Sequence, residues 1–393
     1  MIKEKIKALA AEYAEEFIAI RHYLHKHPEL SFKEFETSKF IQQQLTALNI
    51  PFNILAQTGV VGLILGKNPG KRVIALRADM DALPITEENQ INYKSLNPGV
   101  MHACGHDVHS TCLLGAAKIL NMLKDEWEGT VKLIFQPGEE RNPGGASIMI
   151  KEGVLENPVP QSIFALHVHP GLPVGKLSFR SGMMMASADE IFITIKGKGG
   201  HAASPHLTTD TILIAAQLIV SFQQLISRNN DPFNPSVLSI TSFQGGNTTN
   251  VIPSEVKLMG TFRAMNEEWR FKAHDLIKKQ ATGLVHAMGG EIDIVIDVGY
   301  PFVLNNGQLT QTAIQKAAEY VGEQNVEKTE MRMGAEDFAF YSHLIPACFY
   351  RIGVGNVSKG ITANVHTPLF NIDEDAIETG MGIMAWLCSS VDI

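Results

Sequence analysis

Apolar residues recur every three or four positions from about Lys3 to His25, with Ile6, Leu9, Tyr13, Phe17, Ile20 and Leu24 on one stripe. That spacing predicts an amphipathic helix, ended by Pro28. A second helix is expected from about Phe32 to Leu48, stopped near Pro51. The pattern then shortens. Val60–Leu65 and Val73–Leu76 are compact apolar runs bounded by Gly and Pro, as buried strands are, and the second leads into Arg77-Ala-Asp-Met-Asp-Ala-Leu-Pro84. After Gly105 a helical stripe carries Leu113, Leu114, Ala117 and Leu120. A strand (Val131–Phe135), a helix around Ala146–Glu152 and a strand (Ile163–Val168) follow. Such alternation predicts an α/β fold: a central mixed sheet flanked by helices.

The middle of the chain has a different rhythm. A strand near Glu190–Ile195 precedes a helix at Thr209–Ser227. Strands near Val237–Phe243 and Glu255–Arg263, a helix at Glu267–Met288 and a strand at Ile292–Val298 complete the run. The order β-α-β-β-α-β is that of a ferredoxin-like α+β unit. Alternation resumes afterwards, with helices near Gln308–Val321 and Asp373–Leu387. The expected organisation is a discontinuous main domain, residues 1–185 and 299–393, with a second domain inserted at 186–298.

Composition narrows the class. A chain of 393 residues exceeds one ordinary core, which agrees with two domains. Its net charge of −8, with no basic block, argues against a nucleic-acid partner. The first residues mix charge into a helical pattern and do not read as a signal peptide. The longest apolar stretch, Thr211–Phe222, is broken by Gln217 and too short to span a bilayer, so no membrane association is expected. Four cysteines without a C-x-x-C pair fit a reducing, cytoplasmic setting.

The chemistry gathers where predicted strands end, as it does in open α/β sheets. In Met101-His-Ala-Cys-Gly-His-Asp-Val-His109, Cys104 and His106 stand two apart, and an extended backbone points both to one side. Thiolate and imidazole suit a transition metal, although an isolated C-x-H is more often a buried Cys beside a surface His. In Phe135-Gln-Pro-Gly-Glu-Glu-Arg141 the adjacent carboxylates of Glu139 and Glu140 cannot share a direction. One can hold a metal while the other moves a proton; an acidic surface turn is the plainer alternative. Leu166-His-Val-His-Pro170 offers His167, His169 or both, with Pro170 expected to begin a turn. Further on, His366 precedes the turn at Thr367-Pro368. At the end of the Arg77 strand Asp81 can orient a ligand histidine, or simply cap a turn. In the inserted domain, Gly197-Lys-Gly-Gly-His201 reads as a flexible tip bearing an imidazole. Phosphate-binding glycine motifs and the G-x-S-x-G elbow are absent from the sequence.

Taken together these segments resemble the M20 metallopeptidase family, in its amidohydrolase branch of aminoacylases, hippurate hydrolases and auxin-conjugate hydrolases. The resemblance runs in order through His27-Pro-Glu-Leu, Arg77-Ala-Asp-Met-Asp-Ala-Leu-Pro, Cys104-Gly-His-Asp, Gln136-Pro-Gly-Glu-Glu and Leu166-His-Val-His-Pro-Gly-Leu-Pro-Val-Gly. It continues in Gly197-Lys-Gly-Gly-His, Gly334-Ala-Glu-Asp-Phe and His366-Thr-Pro. It implies one or two divalent ions (zinc, manganese, cobalt or nickel) held by Cys104, His106, Glu140, His167 and His366. Glu139 is implied as general base toward metal-activated water, and His201 as the lid histidine that stabilises the oxyanion. Asn250, in Gly246-Asn-Thr-Thr-Asn, and Arg263, in Gly260-Thr-Phe-Arg, are implied as lid residues for the substrate carboxylate.

The sequence departs from the wider family at Asp79-Met80-Asp81, where many members carry His-x-Asp, and at Ala335, where Ser is common. The resulting expectation is a cytoplasmic enzyme that releases acetyl-, benzoyl- or similar acyl groups from N-acyl amino acids. An exposed strand or helix of the inserted domain would suit a homo-oligomer. Two alternatives stand beside it: a hydrolase with Cys104 as nucleophile, served by His106 or His109, and a metalloprotein that binds small molecules without catalysis.

Overall fold

The computed structural model describes residues 1–391 and divides the chain into two compact units. The first comprises Met1–Met184, Val303–Met331 and the chain from Asp337 onward; the second comprises Met185–Phe302 with Arg332–Glu336.

The first unit is organised by an eight-stranded mixed sheet. Its order is Phe52–Leu55, Gly59–Leu65, Thr130–Gln136, Val73–Asp79, Ser162–Pro173, Ala347–Gly355, Leu177–Phe179 and Val326–Lys328. The four strands beginning at Thr130, Val73, Ser162 and Ala347 run parallel. Thr130–Gln136, Val73–Asp79 and Ala347–Gly355 are buried at every position. Continuous apolar runs of this kind belong to strands covered on both faces. Helices Ile2–Lys26, His106–Met122 and Asp375–Ser390 bury Ile6, Phe17, Leu113, Leu120, Ile377 and Met384 in the core of this unit. The carboxyl ends of the four parallel strands therefore lie side by side at one edge.

Several elements depart from the expectation. Ala347–Gly355, a central strand, has no counterpart in the predicted pattern. Strand Ser162–Pro173 continues through Pro170, where a bulge stands in place of the expected turn: its register with Ala347–Gly355 breaks between the pairs His169/Gly353 and Pro173/Gly355. The second helix starts at Phe35, because Phe32 adopts φ +63, outside helical space.

The second unit is a four-stranded antiparallel sheet, ordered Ser236–Gln244, Glu255–Ala264, Asp189–Lys196, Glu291–Val298. Its strands and the helices Thr211–Asn229 and Glu267–Ala287 follow the β-α-β-β-α-β order read from the sequence. Burial alternates strictly along the first part of Asp189–Lys196. Ile191, Ile193 and Ile195 meet Leu218, Phe222, Ile277 and Val285 in a core separate from that of the first unit. Helix Thr211–Asn229 is long and apolar enough to cross a bilayer by length and composition, but Ile214, Leu218, Phe222 and Leu225 are buried in this core.

Candidate metal centre

The loops leaving the four parallel strands carry the polar residues singled out above. Asp81 follows the Val73 strand, and Glu139 and Glu140 follow the Thr130 strand. His167 lies on the Ser162 strand, and His366 follows the Ala347 strand. Cys104 and His106 come from the turn that opens helix His106–Met122, where Gly105 takes φ +84. A Cβ on Gly105 would stand 2.5 Å from Val168 Cγ2, so the turn lies directly against the strand that bears His167.

These side chains converge. Cys104 Sγ lies 3.5 Å from His167 Nε2 and 3.3 Å from His366 Nε2. Glu140 Oε1 lies 3.2 Å from His366 Nε2 and 4.0 Å from His106 Nε2. Two groupings share the thiol: Cys104 with His106 and His167, and Cys104 with Glu140 and His366.

Hydrogen bonding decides which histidines have a lone pair to offer. His106 Nδ1 donates to Asp81, whose carbonyl oxygen is 3.0 Å away and whose Oδ1 is 3.1 Å away. Burial opposes a second proton, but Asp79 and Cys104 hold the His106 pKa well above the usual value. Its Nε2 is buried without a hydrogen-bond partner and offers a lone pair where a cation takes the place of that proton. His167 Nδ1 donates to the Val168 carbonyl at 2.8 Å, which likewise leaves Nε2 facing Cys104. His109 donates from Nδ1 as well, but its Nε2 is already engaged. Its Nε2 accepts the Val168 N–H at 3.0 Å and its Nδ1 donates to Asp79 Oδ1 at 2.5 Å, so neither nitrogen remains for a metal. His169, two residues past His167, belongs to none of the converging groups. A sulfur, three imidazole nitrogens and a carboxylate around one point are a donor set for a transition metal. An orphaned buried nitrogen aimed at that point fits the same demand.

The electrostatics are those of a cluster short of positive charge. Hydrogen bonds to Cys104 and Glu140 raise the His366 pKa to about 10. Burial, followed by Glu140, pushes the Cys104 thiol upward, against the pull of His106 and His366. An upward shift is the reverse of what activates a cysteine nucleophile. Burial opposes ionisation of Asp79, yet His106, Arg77 and His109 hold its carboxyl well below the usual range. Burial pushes His167 well down, and His109 and Arg351 add to this, which keeps its imidazole neutral.

Behind Glu139 stands a network absent from the predicted site. Glu139 Oε1 accepts the backbone N–H of Asp337 at 3.4 Å. The Asp337 carboxylate in turn accepts Arg77 Nη2 (2.7 Å), Gln136 Nε2 (2.8 Å) and the N–H of Ala146 (3.0 Å). Arg77 also donates to Asp79 at 2.6 Å and to Gln136 at 2.9 Å. A buried arginine thus ties the strand end near the histidines to the one that presents Glu139. The Gly334-Ala-Glu-Asp-Phe motif was the sequence signal for Asp337, without a role attached.

Of the residues expected in the inserted domain, His201 and Asn250 are neighbours: Gly200–His201 pairs with Val251–Ile252, and the Asn250 carbonyl accepts the Ala202 N–H at 3.0 Å. Arg263 lies toward the far end of strand Glu255–Ala264, its Nε donating to Thr261 Oγ1 at 3.1 Å. Within their unit it is not brought to the other two.

Residues 75–389 match peptidase family M20/M25/M40. The chain is 40% identical over 386 residues to the IAA-amino acid hydrolase ILR1-like 5 of Arabidopsis thaliana, covering 96% of this chain and 87% of the relative. It is 43% identical over 306 residues to an N-acyl-L-amino acid amidohydrolase of Geobacillus stearothermophilus, covering 78% and 82%. Among solved structures, the YXEP protein of Bacillus subtilis, described as a dinuclear metal binding peptidase from the M20 family, superposes with a TM-score of 0.82. It is 35% identical, with 96% of this chain and 98% of that one covered. A putative aminohydrolase from methicillin resistant Staphylococcus aureus gives a TM-score of 0.91 at 32% identity, covering 98% of each chain.

Proposed function

Because this chain belongs to peptidase family M20/M25/M40 and is a metallo-amidohydrolase, we propose that it releases the acyl group from N-acyl amino acids at a centre holding two divalent ions. The observation that carries the proposal is the convergence of Cys104, His106, Glu140, His167 and His366. Cys104, His106 and His167 would hold one ion, and Cys104, Glu140 and His366 a second. Relatives named for IAA-amino acids and N-acyl-L-amino acids support the substrate class. A ligand thiol favours zinc, with manganese, cobalt and nickel as the other candidates, and suits the reducing environment of the cytoplasm.

A divalent ion bound there supplies positive charge that polarises the amide oxygen and lowers the pKa of water toward roughly 7, from about 15.7 in bulk. The remaining work falls to the chain. Glu139, buried and oriented by the Asp337 N–H, takes the proton from the attacking water. As the C–N bond breaks, the same carboxyl delivers that proton to the departing amine, leaving a carboxylic acid and a free amino acid. Asp81 fixes the His106 tautomer through Nδ1. His201 is assigned to the developing oxyanion, and Asn250 and Arg263 to the substrate carboxylate. In this reading the first unit is the catalytic domain and the second the lid.

The test strips the protein with a chelator, restores zinc, manganese, cobalt or nickel singly, and offers N-acetyl, N-benzoyl and longer-chain N-acyl amino acids. Hydrolysis that returns with metal is expected. Turnover that survives complete chelation but stops on alkylation of Cys104 would replace this reading with a cysteine nucleophile.

A further inference from the structure

The His27-Pro-Glu-Leu segment and the residues after it take no part in the chemistry above, yet they reach the turn that presents it. Glu34 precedes helix Phe35–Ala47 and is fully buried. Its Oε1 accepts the N–H of Gly138 and that of Phe32, each at 2.8 Å, and its Oε2 accepts the Thr58 hydroxyl at 3.1 Å. Gly138 immediately precedes Glu139 and takes φ +60; a Cβ there would strike the Phe32 ring at 2.4 Å. One carboxylate oxygen therefore grips both partners of a contact too close for any side chain. Three residues earlier, Ser31 donates at 2.6 Å to Asp81 Oδ2, the same oxygen that accepts the Glu140 N–H at 3.0 Å. The segment thus braces the turn on both sides of Glu139.

We propose that Glu34 is a positioning residue for the hydrolysis, its carboxylate holding the backbone of the turn that aims Glu139. The inference rests on Glu139 being the base. A buried carboxylate is costly unless hydrogen-bonded, and bonds from N–H to an ionised acceptor are roughly twice as strong as neutral ones. Three donors aim at Glu34, and all are uncharged. Asp81, across the turn, is the charged group that acts on it. Burial and then Asp81 push its carboxyl up to about 7, against the hydrogen bonds that pull it down. Protonation places a donor where donors already point, so the grip weakens as the medium becomes acidic.

The experiment compares Glu34→Ala and Glu34→Gln with the unmodified protein for kcat, KM, bound metal and kcat against pH, on an N-acyl amino acid that the unmodified protein cleaves. A slightly misplaced catalytic group costs about 10²-fold. Glu34→Ala is expected to lose kcat on that scale, with bound metal and KM held. Glu34→Gln keeps an acceptor for the Gly138 N–H but is the isostere of the protonated acid. Its kcat should lie between those of Glu34→Ala and the unmodified protein, at the level the unmodified protein shows on its acid limb, and the titration near the value given above should be lost. Hydrogen exchange at Gly138 reads the same grip without any substrate: fastest in Glu34→Ala, intermediate in Glu34→Gln.

Unchanged kcat and exchange in Glu34→Ala would overturn the proposal, as would a Gln variant no better than Ala. Should Glu34→Ala not fold, Thr58→Val removes one donor and is expected to move the acid limb of kcat upward in pH; an unmoved limb counts against the proposal. Absence of hydrolysis in the unmodified protein sinks the assigned function and leaves the exchange result to judge Glu34.

Discussion

Replacing Gly105 with alanine puts one methyl group between Cys104 and His106, and its cost follows from two separate terms. The backbone at Gly105 has φ +84, a left-handed conformation that costs a residue with a side chain about 1–2 kcal/mol. The new Cβ would also lie 2.5 Å from Val168 Cγ2, 3.2 Å from Cγ1 and 3.4 Å from Phe370 Cζ. Val168 and Phe370 are both buried, so the neighbours yield poorly. Overpacking of this kind costs about 1–3 kcal/mol. The sum is about 2–5 kcal/mol, unless the turn shifts away from the strand.

A shift would draw Cys104 from His167, so relief of strain is converted into lost metal affinity, tenfold for about every 1.4 kcal/mol. Urea unfolding of the chelator-stripped protein measures the first term, and competition with a chromophoric chelator measures the second. The expected result is destabilisation within that range together with metal binding weakened at least about tenfold. A variant with unmodified urea midpoint and unmodified affinity would refute the packing argument and the placement of this turn.

Glu139→Gln should keep its metal and lose about 10²–10⁴ in kcat, as measured by steady-state kinetics beside elemental analysis. His109→Gln should keep metal stoichiometry, because both ring nitrogens are already engaged, while losing about 1–3 kcal/mol from buried groups left unpaired; a missing metal ion would contradict the tautomer assignment. Glu34 also predicts a pH dependence of stability. Its carboxyl ionises near 4.5 in the unfolded chain and near 7 when folded, so the native state keeps a proton that the unfolded chain has already lost. Its contribution is complete below the lower value and is lost as pH rises through the upper one, a difference of about 3 kcal/mol. Glu34→Gln should therefore be less sensitive to pH across that window in urea melts and more stable above it; parallel curves would argue against the shift.

Much of the site was legible because its residues follow strands whose apolar runs are short and bounded by Gly or Pro. The loops after Val73–Asp79 and Thr130–Gln136 are placed by this pattern alone. The strand Ala347–Gly355 could not. Its run Ala-Cys-Phe-Tyr-Arg-Ile-Gly-Val-Gly has no alternation, being buried throughout, and its pairing partner is Ser162–Pro173, far away in the chain. Spacing alone, without the family resemblance, does not separate the histidine roles, for a related reason. His106 and His109 sit in one motif with similar neighbours, and only the Val168 N–H, brought in by tertiary pairing, distinguishes an available lone pair from an occupied one. Arg77 illustrates the same limit: its partner Asp337 is contributed by a segment beyond the inserted unit.

The late position of Ala347–Gly355 has a consequence for biosynthesis. Residues up to about Ser162–Pro173 can emerge from the ribosome bearing Cys104, His106, Glu140 and His167, four of the five proposed donors. The seam on which they are ordered stays open until its last parallel member arrives, followed by the turn bearing His366. A translation product cut short before that point would be an incomplete chelator. On the proposed donor set, loading of the ions belongs after chain release, when the final eighth of the polypeptide has closed the seam.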